Sequence, residues 1–352
     1  ESHLQSDRVT FYTAIQACET CGHWETALDL LDILWNSGIQ DGLGTDSLAK
    51  RTYVHEYQAG DPIDCFKHVV HMGILQSLED RSAPITIVDC HAGSGVYDLR
   101  LDKADYHRNF EDGFWHVQAG VAEAMQGDAV APAVSRYVDL QRQTNQKLLG
   151  RGKRSVLPFY AGSAVMAVEA KRPNDRVLLF DAYPDVYNDL LQNIGALQGS
   201  PASGIQVFCA DSYRWLLRAD PSKFTNNGLF LLDPPYDSVH SFHIWNLFMV
   251  RYLRENWPGY VVSLWYPDID DVQTSNLCTR LAMIGGGPVL VAEIKVERPF
   301  NSQHSRSGIA ILGAASQLKS VLEESLQSLA LQLAKSPYQR EVHWSVRWLA
   351  ET

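Results

Sequence analysis

The chain has 352 residues, 45% hydrophobic and 20% charged, close to the soluble globular average, which excludes wholesale disorder, collagen and coiled coil. Its length suits roughly two domains, or one large α/β domain with an appendage. The net charge of −11, from 30 basic and 41 acidic residues, argues against binding nucleic acid by bulk surface charge and leaves that task to a local patch.

No apolar run approaches the ~18 residues of a membrane-spanning helix, so a soluble protein with no membrane partner is expected. The six cysteines (Cys18, Cys21, Cys65, Cys90, Cys209 and Cys278) are scattered, as in reduced intracellular proteins, and no disulfide is expected. Cys18 and Cys21 form a lone CxxC without a second pair, so no metal is expected either. Beginning at Glu1 without Met, the chain reads as a fragment whose targeting segment lies outside it.

Residues 9–41 read as two short helices around a turn at Gly22. Ala27, Leu28, Leu31 and Leu34 recur at helical spacing, and Gly38 supplies a stop. The pattern resembles one pentatricopeptide repeat, a helical hairpin that stacks in arrays on single-stranded RNA. One such unit cannot bury its own apolar face, so further repeats are expected upstream, and the association of these repeats with organelles suggests an organellar protein. A plain hairpin packed on the next domain satisfies the same residues equally well. Tyr12 stands where the repeat favours Asn, Thr or Ser, so base reading by this unit is not expected. The expected organisation is therefore a helical hairpin over 1–42, a polar, glycine-containing linker over 43–52, and one α/β domain over 53–352.

In that domain, apolar runs at 85–88, 177–180, 205–209, 229–232, 261–265, 289–294 and 309–312 suit buried parallel strands alternating with helices. Four of them lead into an acid: Asp89, Asp181, Asp211 and Asp233. In a doubly wound sheet the carboxyl ends of the strands line the ligand crevice, so these acids are expected to converge. The first two runs are separated by nearly ninety residues, more than one crossover needs, which predicts a helical insertion at about 100–155. From Arg142 to Arg176 eight basic residues face two acidic ones, a local excess of +6 that favours contact with a phosphate backbone. Near the end, Leu318, Val321, Leu322, Leu326, Leu329 and Leu333 form a helix stripe, and Val342, Trp344, Val346 and Trp348 alternate as a strand. Both are expected in the core.

The first run opens into Asp89-Cys-His-Ala-Gly93-Ser-Gly95. Glycines at a strand-to-helix turn admit a ligand to the backbone, but neither the dinucleotide fingerprint nor the phosphate-binding loop is matched. A ligand without phosphates, such as S-adenosylmethionine, fits better. The fourth run leads into Asp233-Pro234-Pro235-Tyr236, which resembles the motif of methyltransferases acting on adenine N6. An exocyclic amine is a poor nucleophile because its lone pair is delocalised into the ring. If the Asp233 carboxylate and the Pro234 carbonyl accept its two hydrogens, the nitrogen pyramidalises and its lone pair is directed at a methyl donor. Asp233 then removes the proton, and Tyr236 offers a face for the extruded base.

Together with Tyr53-Val-His55-Glu-Tyr57, Asp64-Cys-Phe-Lys67-His68, Tyr160-Ala-Gly162-Ser163, Leu264-Trp265-Tyr266-Pro267 and Ser307-Gly308, these segments make residues 53–350 resemble the RlmJ-type family of 23S ribosomal RNA adenine-N6 methyltransferases. The resemblance implies a Rossmann-like class I S-adenosylmethionine-dependent fold and large-subunit ribosomal RNA as partner. It also implies cofactor contacts from His68, His91, Ser163, Asp181, Asp211, Ser212 and Asp233. Tyr53, His55, Lys67 and Tyr236 would face the target adenosine, with Asp233, Pro234, Tyr236 and Lys67 carrying the chemistry. The chain departs from the family at Gln58 (usually His), Asp61 (usually Asn), Asp181 (usually Glu) and Ser212 (usually Gly), and it reads Gly313-Ala-Ala-Ser316 where the family has an N-P-P-W run. The shorter Asp181 and the added Ser212 side chain are expected to weaken cofactor binding. Two other readings use the same motifs: a methyltransferase fold kept as an RNA-binding scaffold, and an amino-methyltransferase acting on DNA or protein.

Overall fold

The computed structural model describes residues 8–21, 23–36, 55–79, 81–101, 108–124, 130–150, 157–198, 203–234, 239–268, 271–284, 286–297, 306–335 and 341–349. Eight strands form the main sheet: β1 (Thr86–Asp89), β4 (Arg176–Asp181), β5 (Ile205–Cys209), β6 (Gly228–Leu232), β7 (Tyr260–Pro267), β8 (Val289–Val296), β9 (Arg306–Leu312) and β10 (Val342–Trp348). Their order is β10-β8-β9-β7-β6-β1-β4-β5. The five strands from β5 to β7 are parallel, whereas β9 runs antiparallel to β7 and β8, and β10 antiparallel to β8. The apolar run at 309–312, expected to be parallel, is reversed, and the run at 289–294, though directed like the parallel strands, pairs only with antiparallel neighbours, because a run of apolar side chains carries no information on strand direction. The β10 strand was expected in the core but lies at the sheet edge, where of its residues only Val346 is buried.

Side chains alternate between the faces of each strand, and this period of two divides the core. Ile87, Val177, Leu179, Leu229, Leu231 and Val261 point to one apolar layer, and Val88, Leu178, Phe180, Phe230, Leu232 and Val262 point to the other. The first layer is covered by α3 (Pro62–Glu79), α5 (Pro132–Leu149) and α11 (Leu318–Ala334), with α4 (His116–Ala124) beside them. The second is covered by α9 (Val239–Asn256) and α10 (Asp271–Ile284). At the amino end, α1 (Arg8–Thr20) and α2 (Trp24–Asn36) pack on each other, and α2 packs on α9. Ile15, Ala27, Leu28, Leu31 and Leu34 join the second layer. The expected linker at 43–52 lies outside the described residues.

The helix α3 is buried at fifteen of its eighteen positions, which is why its apolar residues show no single stripe in the sequence. Between the first two parallel strands, β2 (Val96–Asp98) and β3 (Phe159–Ala161) form an antiparallel ribbon, and α4 and α5 lie between them in the chain. The strand β1 is flanked by β4 and β6, so the chain order reverses there and a crevice opens at the carboxyl ends of these strands.

Candidate active site

The parallel register places Asp89, Asp181, Asp211 and Asp233 at one edge of the sheet, because each ends or follows a strand running in the same direction. Asp89 is buried, its Oδ1 accepting the backbone N–H of His91 at 3.2 Å while Oδ2 has no hydrogen-bond partner. Burial pushes its carboxyl up to about 7, against the opposing pull of the neighbouring Ser163 hydroxyl and the His91 N–H. Asp181 and Asp233 are close enough to raise it further. Asp181 Oδ1 accepts the Tyr183 N–H at 2.9 Å. Asp211 caps α8 (Ser212–Leu216), its Oδ1 accepting the Tyr213 and Arg214 N–H groups at 3.0 and 3.2 Å. Ser212 is buried beside the Cys90 thiol.

The turn after β1 needs its glycines. Gly93 has φ +58° and Gly95 φ +72°, a conformation that L side chains rarely adopt. A Cβ at Gly93 would also lie 2.1 Å from the Tyr97 hydroxyl oxygen. Asn193 donates to the Ser94 carbonyl at 2.8 Å and pins the turn to α7 (Pro184–Gln198). An orphaned buried carboxylate oxygen beside a turn this close to the backbone suits a ligand bearing an ammonium group and hydroxyls, as S-adenosylmethionine does.

At the end of β6, Lys67 Nζ donates to Asp233 Oδ2 at 2.6 Å. Lys67 is 5% exposed, its ammonium 5.1 Å from the centre of the Trp265 ring. The Asp233 N–H donates to His91 Nδ1 at 3.2 Å, which fixes that ring in the tautomer with its proton on Nε2. Burial brings the His91 imidazole down to about 4, so it is neutral at physiological pH. His68 is buried, with Nδ1 2.5 Å from the Tyr160 hydroxyl, and burial lowers it to about 4. His71 is equally buried and is lowered to about 3. His55 stands edge-on to Tyr97, with Nε2 3.4 Å from Asp64 Oδ2. Ser163 begins α6 (Ser163–Glu169), Pro234 is buried after Asp233, and Tyr53 and Tyr236 lie outside the described residues.

The structure thus brings Lys67, His91 and Asp233 together, with His55 linked to them through a residue that had no assigned role. Asp64 was passed over, although its spacing of three and four residues ahead of Lys67 and His68 puts all three on one helix face. Trp265 was read only as part of a matching segment, yet its place at the carboxyl end of the strand next to β6 was a usable signal. Its Nε1–H donates to Ser307 Oγ at 2.5 Å.

Three cations of the basic segment are paired, two of them with the acids already counted in its excess and one with an acid outside it. Lys147 pairs with Glu169 at 2.6 Å, Arg142 with Asp139 at 3.3 Å and Arg172 with Asp175 at 2.8 Å. Asp139 sits one helical turn before Arg142 and so falls outside a window that begins there. Arg151, Lys153 and Arg154 lie outside the described residues. A cavity of about 620 Å³ occurs elsewhere, beneath α10, but its charged groups are already committed, Arg347 to Glu293 and Arg306 to Asp268. It offers no orphaned group comparable to Asp89 Oδ2.

Comparison with known proteins identifies the family and the fold. The model of a family described as ribosomal RNA large subunit methyltransferase D, RlmJ, matches residues 82–349. The chain is 26% identical over 303 residues to ribosomal RNA large subunit methyltransferase J of Haemophilus influenzae, covering 85% of this chain and 98% of that one. Against the protein of the same name from Escherichia coli it is 25% identical over 248 residues, covering 70% and 80%. Among solved structures it is similar in fold to protein LPL1258 from Legionella pneumophila, with a TM-score of 0.66 at 19% identity over 82% of this chain and 97% of that one.

Proposed function

The chain belongs to the RlmJ family of ribosomal RNA large subunit methyltransferases, and from this premise we infer that it methylates the N6 amine of an adenine in large-subunit ribosomal RNA. The observation that carries the reading is the Lys67–Asp233 pair at the mouth of the acidic crevice. S-adenosylmethionine, when bound, supplies an electrophilic methyl group. Asp89 and Asp181 would hold its ammonium and ribose hydroxyls, and Asp211, whose Oδ2 also faces Arg214 at 3.8 Å, its adenine amine. Ser163, His91 and the Ser212 backbone border the same crevice, and His68 supports it from behind through Tyr160.

The work of the chain's own residues is to hold acceptors and move one proton. The Asp233 carboxylate and the Pro234 carbonyl take the two amine hydrogens, so the nitrogen lone pair turns out of the ring. His91 fixes the backbone that carries both acceptors by accepting the Asp233 N–H. The Lys67 ammonium holds the Asp233 carboxylate in place. That carboxylate takes the proton once the nitrogen is methylated, when it is cationic and strongly acidic.

The basic segment between α5 and α6, with Arg151, Lys153 and Arg154, is the proposed contact for the RNA backbone. The proposed role of the amino-terminal helices, which resemble a pentatricopeptide repeat, is to extend the RNA-binding surface, and the same resemblance suggests an organellar site of action. Labelled methyl transfer to protein-free ribosomal RNA, followed by nucleoside analysis, tests the reading. N6-methyladenosine is the expected product. RNA binding with no methylated adenosine at saturating cofactor would overturn it in favour of a scaffold.

A further inference from the structure

Asp64 sits in the first turn of α3, where the helix N-terminus favours an anion. Asp61 caps that helix, its Oδ1 accepting the Asp64 N–H at 2.7 Å, so the Asp64 carboxylate is free to turn away from the cap. Asp64 Oδ2 accepts the Gly60 N–H at 2.9 Å and lies 3.4 Å from His55 Nε2. Oδ1 lies 3.3 Å from Lys67 Nζ and 3.9 Å from His68 Nε2. The residue is 2% exposed. One buried carboxylate therefore touches both Lys67, which holds Asp233, and His55, which stands against the Tyr97 ring.

We propose that Asp64 is a positioning residue for methyl transfer: it holds Lys67 between two carboxylates and turns His55 toward the target base. The proposal rests on the methyl-transfer reading for its kinetic consequence but not for its electrostatic one. Burial opposes the charge on Asp64, and His68, His55 and Lys67 outweigh burial and keep the carboxyl well below its usual range. The other titratable groups around it are Asp61, Cys65 and His71 on or beside α3, Tyr160 on β3 and Tyr137 on α5, with Asp233 reached through Lys67. Burial holds the His71 imidazole neutral and the thiol and both phenols protonated, and Asp64 is the carboxylate that lies against both His55 and Lys67.

The test uses the full chain with 15N-labelled histidine. The His55 ring signals are read by NMR at one fixed pH and assigned by their loss in His55→Gln. Asp64→Asn should move them, since the carboxylate 3.4 Å from Nε2 is lost, and Asp64→Glu should restore them. Lys67→Met should also move them, since it frees the carboxylate that Lys67 and His55 share. In methylation assays Asp64→Asn should lower kcat by ~10²-fold, the scale of a misplaced catalytic group, with less change in KM for RNA, and Asp64→Glu should recover part of the loss. Unmoved His55 signals in both Asp64→Asn and Lys67→Met overturn the proposal, as does an unchanged kcat in Asp64→Asn. If Asp64→Asn fails to fold, Lys67→Met decides the matter alone. A wild-type chain that forms no methyladenosine ends the methyl-transfer reading, and the His55 signals still decide whether Asp64 positions its neighbours.

Discussion

Asp89 carries the pH dependence that is simplest to measure. Its carboxyl is raised to about 7, chiefly by burial, whereas in the unfolded chain it ionises in the ordinary carboxylate range. Between those values the unfolded chain has lost a proton that the folded chain keeps, so folding stability falls as pH rises toward 7. An ammonium-bearing ligand reverses the balance by favouring the ionised form. Affinity for S-adenosylmethionine should therefore rise with pH by up to about tenfold per unit below pH ~7 and level off above it, as read by calorimetry across that range. Asp89→Asn should flatten both this dependence and the pH slope of the melting temperature. At Asp233, replacement by Ala removes the amine acceptor and leaves Lys67 with Asp64 as its carboxylate partner. Methyl transfer should fall by at least ~10²-fold while filter binding still detects RNA, because general-base catalysis contributes on that scale.

The turn after β1 is the element most sensitive to a small change. Gly93→Ala would set a Cβ against the Tyr97 hydroxyl in a backbone region closed to most side chains. A cost of about 1 to 3 kcal/mol follows from that strain, seen as a lowered urea midpoint together with weakened cofactor binding. The segment joining α5 to β3 calls for a different measurement. Replacing Lys147, Arg151, Lys153 and Arg154 by Ala should reduce the salt slope of RNA binding by roughly one unit for each phosphate no longer neutralised, and Lys147→Ala alone should change it little, since Glu169 already holds that ammonium. The parallel half of the sheet was legible because its strands are short apolar runs, four of them leading into an acid. The β9 strand was read in the wrong sense, and the β2–β3 ribbon escaped because three residues per strand give no period to detect. Asp233, Lys67 and His91 were legible from motifs. The contacts of Asp64 were not, because they depend on which neighbours pack around the start of α3.

Across the whole molecule, the two apolar layers share one sheet, and the amino-terminal helices complete the second of them. Leu31 is 1% exposed within that layer, so Leu31→Ala should destabilise the chain by about 2 to 5 kcal/mol and shift one cooperative transition rather than melt a separate hairpin. Differential scanning calorimetry distinguishes the two outcomes. Asp29 and Arg251, on α2 and α9, stand 3.6 Å apart although 222 residues separate them in the sequence (251 − 29). On a ribosome adding about 5 to 20 residues per second, that interval is roughly 10 to 45 s. The helices made first must wait that long with Leu28, Leu31 and Leu34 uncovered before the surface that receives them has been synthesised. A nascent chain stalled before residue 239 should therefore recruit a chaperone through residues 15–34, and one stalled well past residue 256 should not.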